Sequence, residues 1–275
     1  MKQKMKKVVI GSIMLSLVLL LGLAAWLITR NRAAEETQIA KNLLDVDWYD
    51  ENGTEFTITT REELFDLVEL SYFYDFAGQT IKLGADIVVN EGNAADWQNE
   101  QPEYEWESIH GFAGTFDGQG HTISGLYSIG LRYFANIERV EGTDYITASL
   151  FRNTQKECVI KNFKIVNSYF ESDLDHGVGS VSSNGAGTFD SIYSDVIIRS
   201  QKCYVGGIIG NVSDDTTITN CWFDGSIEVF MKYGRYIGGI AGRTTNNAEC
   251  TIEHCLVTAT MTRQIEELKA QHGQK

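Results

Sequence analysis

Carboxylates, one histidine and three large aromatics are the residues here whose types and spacing could support chemistry. Asp173, Asp175 and His176 fall just before Gly177. A carboxylate beside an imidazole can exchange a proton with a glycosidic oxygen or a water, provided another coil supplies a partner group. Asp214 and Asp215 are adjacent; with Asp190 or Asp195 from an earlier segment they would offer the oxygen ligands that calcium accepts at weak extracellular sites. Trp97, Tyr104 and Trp106 lie close enough in sequence to form a platform for a sugar ring. Each set also fits a blander role, as solvated turn, acidic surface or packing. No catalytic residue is assigned.

Other signatures are missing. There is no His-Glu-x-x-His pair, no Gly-x-Ser-x-Gly turn and no phosphate-binding loop. Cys158, Cys203, Cys221, Cys250 and Cys255 make an odd number without zinc-type spacing. Reduced, buried thiols are expected from them, with Cys221 and Cys255 as small inward-facing fillers. His121 suits a turn better than a reaction.

The elements that must position these groups come from a repeat. Val205-Gly206-Gly207-Ile208-Ile209-Gly210 recurs as Ile237-Gly238-Gly239-Ile240-Ala241-Gly242, with weaker copies at Val178-Gly179-Ser180-Val181 and Thr147-Ala148-Ser149-Leu150-Phe151. A second block keeps phase with it: Val159-Ile160-Lys161-Asn162-Phe163, Phe189-Asp190-Ser191-Ile192, Thr217-Ile218-Thr219-Asn220-Cys221 and Thr251-Ile252-Glu253-His254-Cys255. Apolar and polar residues alternate within each block, as in strands with one buried face. Strands this short must stack on copies of themselves. A period near thirty residues therefore suits one coil of a parallel β-helix; a propeller blade needs about forty. Asn162, Ser191, Asn220 and His254 share one place in the repeat, where a turn through the left-handed region is expected.

A solenoid also needs its ends covered. Thr60-Arg61-Glu62-Glu63 has the spacing of a capping box, and Leu64, Leu67, Val68 and Tyr72 follow at helical intervals. A helix over the first coil is predicted. Residues 262 to 271, with Met261, Ile265 and Leu268 on one side, predict a short closing helix.

Ahead of the repeats, Lys2, Lys4, Lys6 and Lys7 precede an apolar run over residues 8 to 29. As a helix this run would cross a hydrocarbon layer of ~30 Å. The lysines before it place the start in the cytoplasm and the bulk outside, and cleavage as a signal peptide is the alternative. The expected division is an anchor at 1 to 32, a stalk at 33 to 55, a β-helix at 56 to 261 and a cap or tail at 262 to 275. Six of the 23 basic residues and none of the 37 acidic ones lie before residue 33, so the remainder is even more acidic than the net charge of −14. Such a surface repels phosphate backbones and excludes nucleic acid as a partner.

The tetrapeptides Gly207-Ile208-Ile209-Gly210 and Gly239-Ile240-Ala241-Gly242, extended by Asn220-Cys221 and His254-Cys255, resemble the GLUG-motif repeat proteins. Phe112-Ala113-Gly114-Thr115-Phe116-Asp117-Gly118-Gln119-Gly120-His121-Thr122-Ile123 is similar to the entry strand of such repeats, and Trp106-Glu107-Ser108-Ile109-His110 to the step before it. The likeness covers roughly residues 56 to 261. It implies an all-β, right-handed, pectate-lyase-like parallel β-helix on a bacterial surface, and a packing role for Trp106. Two functions are expected from these readings together. One is a non-catalytic surface module for adhesion or for contact with cell-wall glycan or a surface protein. The other is a polysaccharide lyase or hydrolase.

Overall fold

The computed structural model describes residues 46–130, 148–172, 177–201, 204–230, 236–245 and 247–264. The chain divides into Met1–Asp47 and Trp48–Lys275, and the second unit is the one described. It is an all-β, right-handed parallel solenoid with few helices. Strand β1 (Glu55–Ile58) is followed by helix α1 (Arg61–Leu70), then β2 (Thr80–Leu83) and β3 (Ile87–Val88). Next come β4 (Thr115–Asp117), β5 (Thr122–Ser124) and β6 (Tyr127–Gly130), then β7 (Phe151–Thr154) and the long β8 (Val159–Ser172). The long β9 (Ser182–Ser200) carries most of one coil, which Val178 joins through a parallel bridge to Val205. The next coil holds β10 (Val205–Gly206), β11 (Ile209–Thr219), β12 (Trp222–Phe223) and β13 (Ser226–Phe230). The last described coil holds β14 (Ile237–Gly238), β15 (Ala241–Thr244), β16 (Cys250–Glu253), β17 (Leu256–Val257) and β18 (Thr260–Gln264).

One inward ladder runs through all of them. Phe56, Ile81, Phe116, Ile160, Phe189, Ile218 and Ile252 stand in parallel register, each over the last. All are buried except Ile252 in the last described coil. Removing each such side chain from water contributes ~1.5–3 kcal/mol, so alignment of the repeats and burial of the core are one event. A second inward ladder stacks Ile87, Ile123, Ile165, Ser194, Phe223 and Val257.

Turns and ends follow the repeat. Asn162, Ser191, Asn220 and His254 all take positive φ, between 54° and 59°, so the chain turns the same corner at the same place in four coils. At the glycine pairs it is close approach that forbids a side chain. A Cβ on Gly206 would lie 2.0 Å from the Ile209 carbonyl oxygen, and one on Gly207 would lie 2.1 Å from that of Gly239. Helix α1 carries the expected capping box: Glu63 N–H donates to Thr60 Oγ1 at 3.2 Å and Thr60 N–H to Glu63 Oε2 at 3.0 Å. Leu64, Leu67, Val68 and Leu70 are buried beneath it.

The closing helix begins differently from expectation. Thr262 to Gln264 are strand, in register with Glu228, Val229 and Phe230. The exposed edge of β13 offers ladder hydrogen bonds that outweigh weak local helix propensity; the rest of the predicted cap lies outside the described residues. So does the apolar run at 8 to 29; among the described residues no helix is long and apolar enough to cross a membrane.

Candidate functional site

The three sets of sequence candidates fare differently. Asp173, Asp175 and His176 lie outside the described residues. Asp214 and Asp215 receive Lys156 Nζ at 3.2 and 2.8 Å, and Asp215 also accepts from the Glu249 N–H at 3.0 Å. A backbone N–H and Lys156 hold the Asp214 carboxyl below its usual range, and Lys156 does the same for Asp215. Of the two candidates for a third ligand, Asp190 accepts from Thr219 and Asn220, at 2.7 Å each, and Asp195 stands beside Asp224. Among the described residues no three His, Cys, Asp or Glu side chains are grouped to hold a metal.

Trp106 has no exposed surface, and its indole N–H donates to the Ser149 carbonyl at 3.0 Å. It is a packing residue with no face to offer a sugar. Trp97 is 5% exposed and meets Tyr127 edge-on at 6.2 Å. Tyr104 lies under the Arg61 guanidinium at 4.0 Å. These last two line a cleft of about 450 Å³ with Arg61, Asn90, Glu91 and Glu103. The Asn90 side chain fixes its wall, donating to the Tyr104 and Gly125 carbonyls and accepting from the Tyr104 N–H.

A different groove, of about 600 Å³, opens on the outer face beyond the left-handed corners. Strand alternation points Thr122, Lys164, Tyr193, Trp222 and Leu256 outward, and the register stacks them in that order. Tyr193 and Trp222 meet edge to face, 4.9 Å apart at 75°. Trp222 remains 39% exposed. Asn162, Ser191 and Asn220 form the groove's polar rim.

Asp224 sets the angle of both rings. It accepts from Tyr193 Oη at 3.2 Å and from Thr258 Oγ1, which itself accepts the Trp222 indole N–H at 2.7 Å. Asp195, its neighbour in the preceding coil, is pushed up by burial and then by the Asp224 charge. Burial also pushes the Tyr193 phenol up, followed by Asp195 and Asp224. The arrangement offers an apolar ring face, a hydrogen-bonding rim and the cation Lys164 in its lining. That combination suits a ring-shaped polar ligand with an apolar face.

Sequence reasoning missed this groove, although a signal was available. Lys164, Tyr193, Trp222 and Leu256 each lie two residues past the corner residues Asn162, Ser191, Asn220 and His254, so the aligned repeat already contained the column.

No known family matches the chain, and no curated protein does. One solved structure is similar: the crystal structure of a putative immunoglobulin A1 protease from Bacteroides ovatus. It is 16% identical, with a TM-score of 0.46, over 78% of this chain and 68% of that one. Likeness at that level carries no information about activity.

Proposed function

We propose that the chain is an extracytoplasmic β-helix module, tethered to the membrane by residues 8 to 29, whose task is to hold a glycan rather than to transform it. The observation that carries this reading is the exposed Trp222 ring, braced edge-on by Tyr193 beside the amides of Asn162 and Asn220. An aromatic face covers the apolar C–H face of a pyranose while the rim amides meet its hydroxyls. The acidic remainder of the chain disfavours polyanions and leaves neutral cell-wall or surface glycans as the ligand class.

Calorimetric titration of the protein with neutral oligosaccharides tests it. Trp222→Ala should weaken binding about thirtyfold, the loss of ~2 kcal/mol that an aromatic anchor supplies. Unchanged affinity in both Trp222→Ala and Tyr193→Ala would remove the groove from the account.

A second reading, hydrolysis of the bound glycan, is favoured by one pair. Asp195, one coil from Asp224, has its carboxyl raised by burial and then by the Asp224 charge, and a raised carboxyl suits a general acid. Release of reducing ends from the bound oligosaccharide, abolished in Asp195→Asn, would replace the holding role with turnover.

A further inference from the structure

The last described coil is the least covered part of the column: Ile252, Val257 and Met261, which continue the inward ladders, are 38–45% exposed. It also supplies one half of the one in-register pair of thiols among the described residues. Thr219 stands opposite Glu253 and Trp222 opposite Leu256, which sets Cys221 opposite Cys255. Both follow a residue at φ 54° and leave the corner in the same direction. Each thiol donates to the carbonyl two residues back, Cys221 to Thr219 at 3.2 Å and Cys255 to Glu253 at 3.3 Å, so the two side chains are parallel copies one coil apart. The Cys255 thiol also reaches across to the Ile218 carbonyl of the coil before it, at 3.6 Å. Cys250 stands opposite Thr216 and Cys158 beside Gly187, and neither has a thiol neighbour there.

We propose that Cys221 and Cys255 are a modification site, an intercoil disulfide formed by exchange with a small-molecule disulfide. Neighbouring coils lie ~4.8 Å apart, inside the ~4.4–6.8 Å that a disulfide requires between α-carbons. The half-buried Cys255 is the entry point. Its thiolate attacks the external disulfide and releases one thiol, leaving a mixed disulfide on Cys255. Cys221 then loses its proton and attacks the Cys255 sulfur, releasing the second thiol. Two protein thiols are oxidised and one external disulfide is reduced to two thiols. Burial holds the Cys221 thiol up at about 12, with Cys255 adding to it, so the second step is the slow one. The bond would fasten the exposed coil to the buried one before it, in the oxidising compartments where such bonds persist. It stands independently of the glycan reading.

The test is oxidation of the reduced full chain with oxidised glutathione, followed by alkylation, peptide mapping and hydrogen exchange. One intramolecular Cys221–Cys255 link is expected, absent in Cys255→Ser and Cys255→Ala and retained in Cys158→Ser, with exchange in residues 250 to 264 slowed about tenfold. A stable glutathione adduct on Cys255, a link to any other cysteine, a purely intermolecular link, or unslowed exchange in the linked protein would each overturn the proposal.

Discussion

Two columns of large side chains run down the outside of the same coils, and one is covered while the other is bare. In the first, Tyr127 and Tyr169 stack at 5.8 Å and Ile197 follows. Ala94 and Trp97 close over them from a loop that belongs to no repeat. That loop is pinned by Asn167, which accepts from the Ala94 N–H and donates to the Gly92 carbonyl, both at 2.9 Å. In the second column, Lys164, Tyr193, Trp222 and Leu256 receive no such insertion from the described residues, and Trp222 is 39% exposed. The repeat supplies aromatic rungs in both places; only the non-repeating segment decides which become core and which become surface.

The largest expected effect is on the covered side. Trp97→Ala should cost about 3 kcal/mol of stability in a chemical denaturation curve, the usual result of emptying a buried aromatic site; a loss below about 1 kcal/mol would mean that the cover is superficial. Next is Arg199→Ala on the same face, at about 2 kcal/mol. Arg199 bonds Glu228 at 2.9 Å and Glu171 at 3.3 Å and lies over the Phe230 ring. Removing it takes away both of these ion pairs and the ring contact. On the bare side Trp222→Ala should shift stability by less than about 1 kcal/mol while still weakening the glycan. A stability loss as large as that of Trp97→Ala would erase the distinction between the columns.

The smallest effects are in pH dependence. Burial raises the Asp190 carboxyl, but hydrogen bonds from Thr219, Asn220 and Ser191 outweigh that and hold it below its usual range. A depressed native pKa contributes stability that is present above the unfolded value and lost as pH falls through the native one. Asp190→Asn should therefore flatten the acid limb below about pH 4. Asp195 has the opposite sign, raised by burial and then by Asp224. The folded state holds its proton more tightly, so its contribution is favourable in acid and disappears as pH rises through the raised value. Asp195→Asn should gain stability at pH 7 relative to pH 4 when the two melting curves are compared.

The coils were legible because repetition states the same physical demand several times. Ile218 over Ile252, the left-handed corners at Asn162 and Asn220, and the capping box at Thr60 all rest on local spacing that any copy reveals. The burial of Trp97 was not legible because it lies in unrepeated sequence. There the choice between a ring in solvent and a ring under a loop depends on contacts up to 75 residues away, such as Asn167 to Gly92. The contact of Lys156 with Asp214 and Asp215 was out of view for a similar reason: it spans 58 residues to Asp214. The bare column was missed for a simpler one. Attention to inward positions passed over the outward member of the same strand.

The inward ladder from Phe56 to Ile252 has a further consequence. Each rung pairs with the rungs directly before and after it, so the molecule is nearly a one-dimensional lattice. Inserting or excising a full period would slide planks together without misfit, whereas a single-residue slip would turn greasy faces outward. Under load or heat such a stack unzips from its weaker terminus, plank by plank, instead of melting all at once.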